Sequence, residues 1–291
     1  MTSAAQAGTC AVKMNPHFAT RVLLVLLCSL CAGCFSASYS TTAQRRASVE
    51  SYANVKVGQE SLRDFLLERS AVVINEDGVT GSLKIVVQGS TLDFSGFGGE
   101  WNITRGFAAA IDHRGYLITA GHVVRREKGQ PMLVFLGPGA KTPVHARVVW
   151  CGDGSENQPD IAILYAGEPL NEIFEWAPNS FFSEEVFAVG ADYDGDDDEN
   201  QNHFSSDYIA GLLLWTSSRT NWVPSTTKVH SSIPVHHGDS GGPLAAKDGR
   251  LLGVNTYFYH KGFSADAYRP DLDWLKKLID EDFSKLPRPT N

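Results

Sequence analysis

The sequence predicts an all-β chain folded as two β-rich halves and closed by one helix at its C-terminus. Three observations carry this. Short apolar runs bounded by turn residues recur roughly every ten residues from Ala71 onward, the pattern of a compact barrel or sandwich. A stretch with Pro169, Pro178 and little periodicity, residues 166–182, divides the runs into two groups. Leu275, Leu278 and Ile279 then share one face of a helical pattern that opens at Pro270-Asp271.

The domain is set at 61–285, with halves at about 70–168 and 183–283 and a tail at 286–291. Residues 61–69 carry Leu62, Phe65, Leu66 and Leu67, a short amphipathic helix expected to pack on the first half. Strand signals follow at 72–74, stopped by Asn75-Glu76-Asp77-Gly78, and at 83–87, stopped by Gly89-Ser90. Residues 107–111 and 116–120 are joined by the turn Asp112-His113-Arg114-Gly115, and the second of them delivers Gly121-His122. Runs at 132–136, 145–150 and 161–165 complete the first half. The second half runs through 186–190, 208–215, 222–223, 227–233 and 251–257. Asp192, Asp194, Asp196, Asp197, Asp198 and Glu199 crowd one loop of it. That density suits a hard cation such as calcium, but Gly195 is misplaced for a calcium helix–loop–helix and no glutamate closes the loop, which favours a solvated surface.

Composition narrows the function. With 43% hydrophobic and 20% charged residues the chain is globular, and a net charge of −8 without a basic stripe excludes nucleic acid as a partner. Lys13, His17 and Arg21 precede an apolar run that ends in Ala32-Gly33-Cys34, which reads as an export signal over 1–33, too short for a membrane-spanning helix. Nothing before Met14 adds to that pattern, making Met14 a candidate start. The run's end resembles a bacterial lipoprotein signal, in which the cysteine, here Cys34, becomes the lipidated first residue. Cys31 stands where that pattern prefers an aliphatic residue, and ordinary cleavage near Gly33 or Ala37 is the alternative. Residues 34–60, rich in small polar side chains, are expected to tether the domain to its anchor. The mature protein is therefore expected in the periplasm or cell envelope as a membrane-anchored lipoprotein. Removing the signal takes Lys13 and Arg21 but no acid, and moves the net charge from −8 to −10. Only Cys34 and Cys151 survive processing, so no internal disulfide is expected.

The chemistry is carried by three segments. An alcohol is a poor nucleophile near neutral pH unless an imidazole takes its proton and a carboxylate fixes that imidazole's tautomer. Ser240 lies between glycines in Gly238-Asp239-Ser240-Gly241-Gly242-Pro243, His122 ends an apolar strand, and Asp160 stands immediately before another. Glycines beside a serine let backbone N–H groups face a developing oxyanion.

Thr119-Ala120-Gly121-His122, Asp160-Ile161-Ala162-Ile163-Leu164 and the Ser240 segment together resemble the three signatures of trypsin/chymotrypsin-like serine proteases, over residues 70–283. The resemblance implies two six-stranded antiparallel β-barrels with the site in the cleft between them. It implies His122, Asp160 and Ser240 as the catalytic triad and the N–H groups of Gly238 and Ser240 as the oxyanion hole. Asp239 is placed inside, where the family pairs it with an amino group freed by proenzyme cleavage. No Ile-Val-Gly-Gly start is present here, which puts that activation route in doubt and likens the chain to bacterial members. The chain is also similar to the protease part of the bacterial heat-shock serine proteases, without the peptide-binding PDZ module that follows it there.

By the same resemblance, Pro234, Val235, His236 and His237 form one wall of the primary substrate pocket and Thr256, Tyr257 and Phe258 the other. No acid is expected at its base, which disfavours basic substrate side chains. Tyr257 and Phe258 favour a small apolar one, whereas His236 or His237 would suit an acidic one. The chemistry calls for no metal and no organic cofactor, and the expected partner is a polypeptide. Two other classes fit the same fold: an inactive relative that binds peptides or envelope partners, and a hydrolase of non-peptide acyl substrates.

Overall fold

The computed structural model describes residues 54–75, 82–88, 91–97, 104–124, 131–137, 142–178, 185–192, 203–259 and 264–287. The export signal, Cys34, most of the predicted tether and acidic-loop residues 193–199 lie outside them. Part of the predicted tether is built: β1 (Lys56–Val57) pairs with β2 (Glu60–Ser61) and leads into helix α1 (Leu62–Glu68). Ser61 caps this helix, its side chain accepting from the Asp64 N–H at 3.1 Å.

The first half closes on itself. Strands β3 (Ser70–Asn75), β6 (Thr104–Asp112), β7 (Tyr116–Ala120), β8 (Pro131–Leu136), β9 (Val144–Cys151) and β10 (Ile161–Tyr165) form a closed antiparallel barrel in the order β10-β7-β6-β3-β8-β9. Its strands read as near-continuous apolar runs because both of their faces are covered. Along β10, Ala162 and Leu164 point into the barrel with Val73, Ala108 and Val148. Ile161 and Ile163 point outward into a second cluster that includes Phe187, Val254 and Tyr268 from the other half. The small residues fall inside, where six strands leave little room.

The second half is a barrel with an addition. Strands β11 (Glu185–Asp192), β12 (His203–Arg219), β13 (Thr226–Ser231), β14 (Pro243–Ala246), β15 (Leu251–Tyr259) and β16 (Ser264–Pro270) run β11-β14-β15-β16-β13-β12, and pairing of β11 with β12 closes the ring. Its interior holds Ile209, Leu213, Val229, Val235, Leu244 and Ala267. The hairpin β4 (Ser82–Gln88) and β5 (Thr91–Phe97) belongs to the first half by sequence but joins this sheet, with His203, Phe204 and Ser205 of β12 opposite Asp93, Leu92 and Thr91. The 17 residues of β12 make this reach, since only its later part is needed to pair with β13.

The cluster that takes in Ile161 and Ile163 lies between the barrels, and both terminal helices pack into it. Leu62 and Leu66 of α1 belong there, so α1 braces both halves and not the first alone. Helix α3 (Leu272–Phe283) follows the last strand of the second barrel, is capped by the Asp271 carboxylate on the Trp274 N–H at 2.8 Å, and returns to the first barrel. There Asp282 accepts from Arg147 at 3.0 Å and from the Tyr116 hydroxyl at 2.8 Å, while Asp280 accepts from Arg114 at 2.8 Å. Tyr116 is fully buried, and burial followed by the Asp282 hydrogen bond raises its pKa above the ordinary tyrosine value. The helix is thus a staple between halves.

Tyr116→Phe should lower the unfolding free energy by about 1.5 kcal/mol, the worth of one hydrogen bond to a charged acceptor, because Asp282 keeps its arginine. Urea denaturation of the two proteins measures this, and an unchanged midpoint would remove the staple from the account.

Candidate active site

The pairing of β7 with β10 places the first two predicted residues. Ile161 lies opposite Ala120, so the residue before one strand meets the residues after the other. The chain after β7 makes one helical turn, α2 (Gly121–Val124), in which Val123 and Val124 are fully buried and His122 is left half-buried. The His122 N–H donates to Asp160 Oδ1 at 2.8 Å, and its ring Nδ1 meets Asp160 Oδ2 at 2.6 Å. Both carboxylate oxygens are therefore spent on one residue. This pairing assigns the ring proton to Nδ1 and leaves Nε2 as the acceptor facing outward. Gly121 is required here, since a Cβ would stand 2.5 Å from the Gly152 carbonyl and 2.8 Å from Asp160 Oδ1.

The serine loop is seated from both sides. Toward the first barrel, the Ser240 carbonyl accepts from the Phe107 N–H at 2.8 Å. Gly241 has φ +81, and a Cβ there would overlap the Phe107 carbonyl and the Thr119 hydroxyl. Toward β15, the Gly241 N–H donates to the Asn255 carbonyl at 2.7 Å and the Asn255 N–H to the Gly242 carbonyl at 2.9 Å. Asp239 is fully buried, and its carboxylate accepts from the Ala191 N–H at 2.7 Å and the His236 N–H at 2.6 Å. Those backbone donors hold the loop where the resemblance had implied a freed terminal amino group.

The Ser240 carbonyl and the side chain of Val123, the residue after His122, both crowd Gly106, at 2.5 and 2.8 Å from where a Cβ would stand. The hydrogen bonds of the His122 ring go to Asp160, with none to the Ser240 hydroxyl among the described contacts. The N–H groups of Gly238, at φ +98, and of Ser240 have no acceptor among the described backbone hydrogen bonds.

The pocket residues divide. Pro234, Val235 and Thr256 are buried, His236 is half-buried, and His237 and Tyr257 are exposed; the Phe258 side chain lies outside the described ones. Thr256 donates to the Asp266 carbonyl at 3.3 Å. Sequence reasoning saw no acid in this region, yet Asp266 is fully buried directly opposite Tyr257. Its charge is met by Lys228 at 3.5 Å and by a close contact with His230, whose ring stacks under the exposed Trp215 with centroids 4.6 Å apart. The run Ser264-Ala265-Asp266-Ala267 carries no motif that would have announced it.

Asn255 was missed as well. It is fully buried, and neither end of its carboxamide has a hydrogen-bond partner among the described residues; the same holds for the Ser231 hydroxyl. Each such group costs about 1–3 kcal/mol. Nearby, Tyr268 is pushed up to about 12, by burial first and then by the anions Asp266 and Asp160.

Comparison with known proteins follows the same lines. The family described as a trypsin-like peptidase domain matches residues 105–254. Protease Do-like 1, chloroplastic, of Arabidopsis thaliana is 23% identical over 262 residues, covering 87% of this chain and 53% of its own length. The chain thus spans about half the length of that curated relative. The crystal structure of the serine endoprotease from Yersinia pestis superposes with a TM-score of 0.49 at 16% identity, over 76% of this chain and 65% of that one.

The raised Tyr268 gives a signed expectation. Its folded value of about 12 exceeds the ordinary 10.0, so its stabilisation is complete below pH 10 and is lost as pH rises through about 12. The effect is on the order of 2 kcal/mol. Tyr268→Phe should flatten that part of the alkaline decline in unfolding free energy, and parallel declines in the two proteins would refute the assignment.

Proposed function

This chain belongs to the family of trypsin-like peptidase domains, and from that premise we propose that it is a serine endopeptidase acting through His122, Asp160 and Ser240. One observation carries the reading: a histidine held by both oxygens of a carboxylate follows the strand against which the serine loop is pressed. Three distant segments have no structural need to meet in this way, whereas acyl transfer requires it.

Each group then has its role. The Ser240 oxygen attacks the scissile carbonyl carbon while its proton passes to His122 Nε2. Asp160 keeps the ring oriented and stabilises the imidazolium that results. The negative charge that moves onto the carbonyl oxygen is met by the N–H groups of Gly238 and Ser240, and loss of one such donor would raise the barrier by about 3–4 kcal/mol. As the carbonyl re-forms, the carbon–nitrogen bond breaks and His122 gives its proton to the departing amine. Water then attacks the acyl-enzyme along the same route, returning the proton to Ser240. Asp239, tied to Ala191 and His236, supports a loop that is set without a freed terminal amine.

The basic-then-apolar N-terminus supports export, and Ala32-Gly33-Cys34 supports acylation at Cys34, so the substrate is a polypeptide met in the cell envelope. Palmitate labelling in a bacterial host should mark the whole chain and be lost in Cys34→Ser; equal labelling of both would overturn the anchor.

A fluorophosphonate should label the wild type and neither Ser240→Ala nor His122→Ala, with circular dichroism unchanged in all three. Asp160→Asn should keep its fold and lose roughly 10⁴-fold in turnover. An unlabelled wild type would point to a peptide-binding relative. Labelling without cleavage of any member of a peptide library would point to a non-peptide acyl hydrolase.

A further inference from the structure

Beneath the serine loop, the Asn255 carboxamide is buried with both ends unpartnered among the described residues. Its backbone is bonded to Gly241 and Gly242, the two residues that follow Ser240. The direction of its side chain follows from the register. Asn255 lies opposite Ala267, which in turn lies opposite Val229. Directly opposed residues share a face. Ala267 and Val229 belong to the apolar cluster that also takes in Ile233 and Val235, the segment leading up to the serine. The carboxamide therefore points to the side of the sheet that this segment covers.

Ser231, the other unpartnered buried group, lies on the same face, opposite Ala265. Two strand spacings, about 10 Å, separate β15 from β13. On this face the strand between them contributes Ala265 and Ala267, so only methyl groups project there. Buried carboxamides are normally paired, and one left open on both its donor and its acceptor calls for a ligand or a water with the matching set.

We infer that Asn255 reads the substrate side chain next to the attacked carbonyl, and that this side chain is itself a carboxamide, glutamine or asparagine; the inference rests on the peptidase reading. Because the Asn255 backbone is bonded to the two residues that follow Ser240, the substrate residue whose carbonyl meets Ser240 is the one assigned to it. A carboxamide offers one acceptor for Nδ2 and one donor for Oδ1 in the plane that a facing carboxamide needs. A carboxylate would set oxygen against Oδ1, and an ammonium would set hydrogens against Nδ2. Asp266 provides no counter-charge for a cation on this face, since it alternates to the other side of β16 and is held there by Lys228 and His230. An apolar side chain, the preference suggested by Tyr257 and Phe258, would leave the carboxamide open.

Two fluorogenic peptides that differ only at this residue, glutamine against the near-isosteric methionine, test the point on the whole chain. The wild type should cleave the glutamine peptide with kcat/KM at least tenfold higher. Asn255→Leu should abolish or reverse that preference, keep the rate of Ser240 labelling by a small alkyl fluorophosphonate, and melt no lower than the wild type. A wild type that favours methionine, or treats both alike, overturns the inference without need of any variant. An Asn255→Leu protein that retains the preference overturns it too, and makes Asn255 a structural residue bridged by buried water. A wild type whose Ser240 is not labelled at all overturns the peptidase reading, and this inference with it.

Discussion

The backbone of the Ser240 loop is a bond between the barrels. The Ser240 carbonyl accepts from Phe107 of the first barrel, while Gly241 and Gly242 exchange hydrogen bonds with Asn255 of the second. Gly241 is pressed so close to Phe107 and Thr119 that no side chain fits. Because Thr119 lies on the strand that ends beside His122, seating the loop and placing the imidazole are one event. Any change in how the two barrels sit would move the serine and the histidine apart, and for that reason the interbarrel cluster and the α3 staple matter to the site.

Three carboxylates, Asp239 and Asp266 buried and Asp282 half-buried, support this arrangement in different ways. Asp239 accepts from two backbone N–H groups, a pairing that depends on how β11 lies against the loop. Asp282 joins an arginine and a tyrosine, and ties the last helix to the first barrel. Asp266 is enclosed with Lys228 and His230 beside the proposed substrate cleft. A buried charge left without its partner is costly, so each of these groups fixes a geometry more strongly than it adds net stability.

Much of this was legible in the chain. The runs at 72–74, 83–87, 107–111, 116–120, 145–150, 161–165 and 186–190 all fall in strands. The amphipathic helices were visible, down to the Asp271 cap. Strand β16 was not, since Ser264-Ala265-Asp266-Ala267 has neither bulk nor clean alternation and is a strand only because β13 and β15 pair with it. The full reach of β12 was hidden for a like reason: its first residues are held by a hairpin from more than a hundred residues earlier.

The sequence by itself determined the three short segments of the site and the local chemistry each demands: glycine where the backbone must turn left-handed or pass another strand, a histidine after an apolar strand, an aspartate before one. Such features are readable because their cause lies within a few residues. Only the tertiary structure decided that both oxygens of Asp160 close on His122, that Asp239 accepts from Ala191 and His236, and that the buried Asn255 carboxamide has no partner among the described residues. Each of these depends on which backbone N–H or side chain a distant strand brings into contact, and hydrogen-bond satisfaction in a β-barrel is set by register between strands, which no single strand encodes.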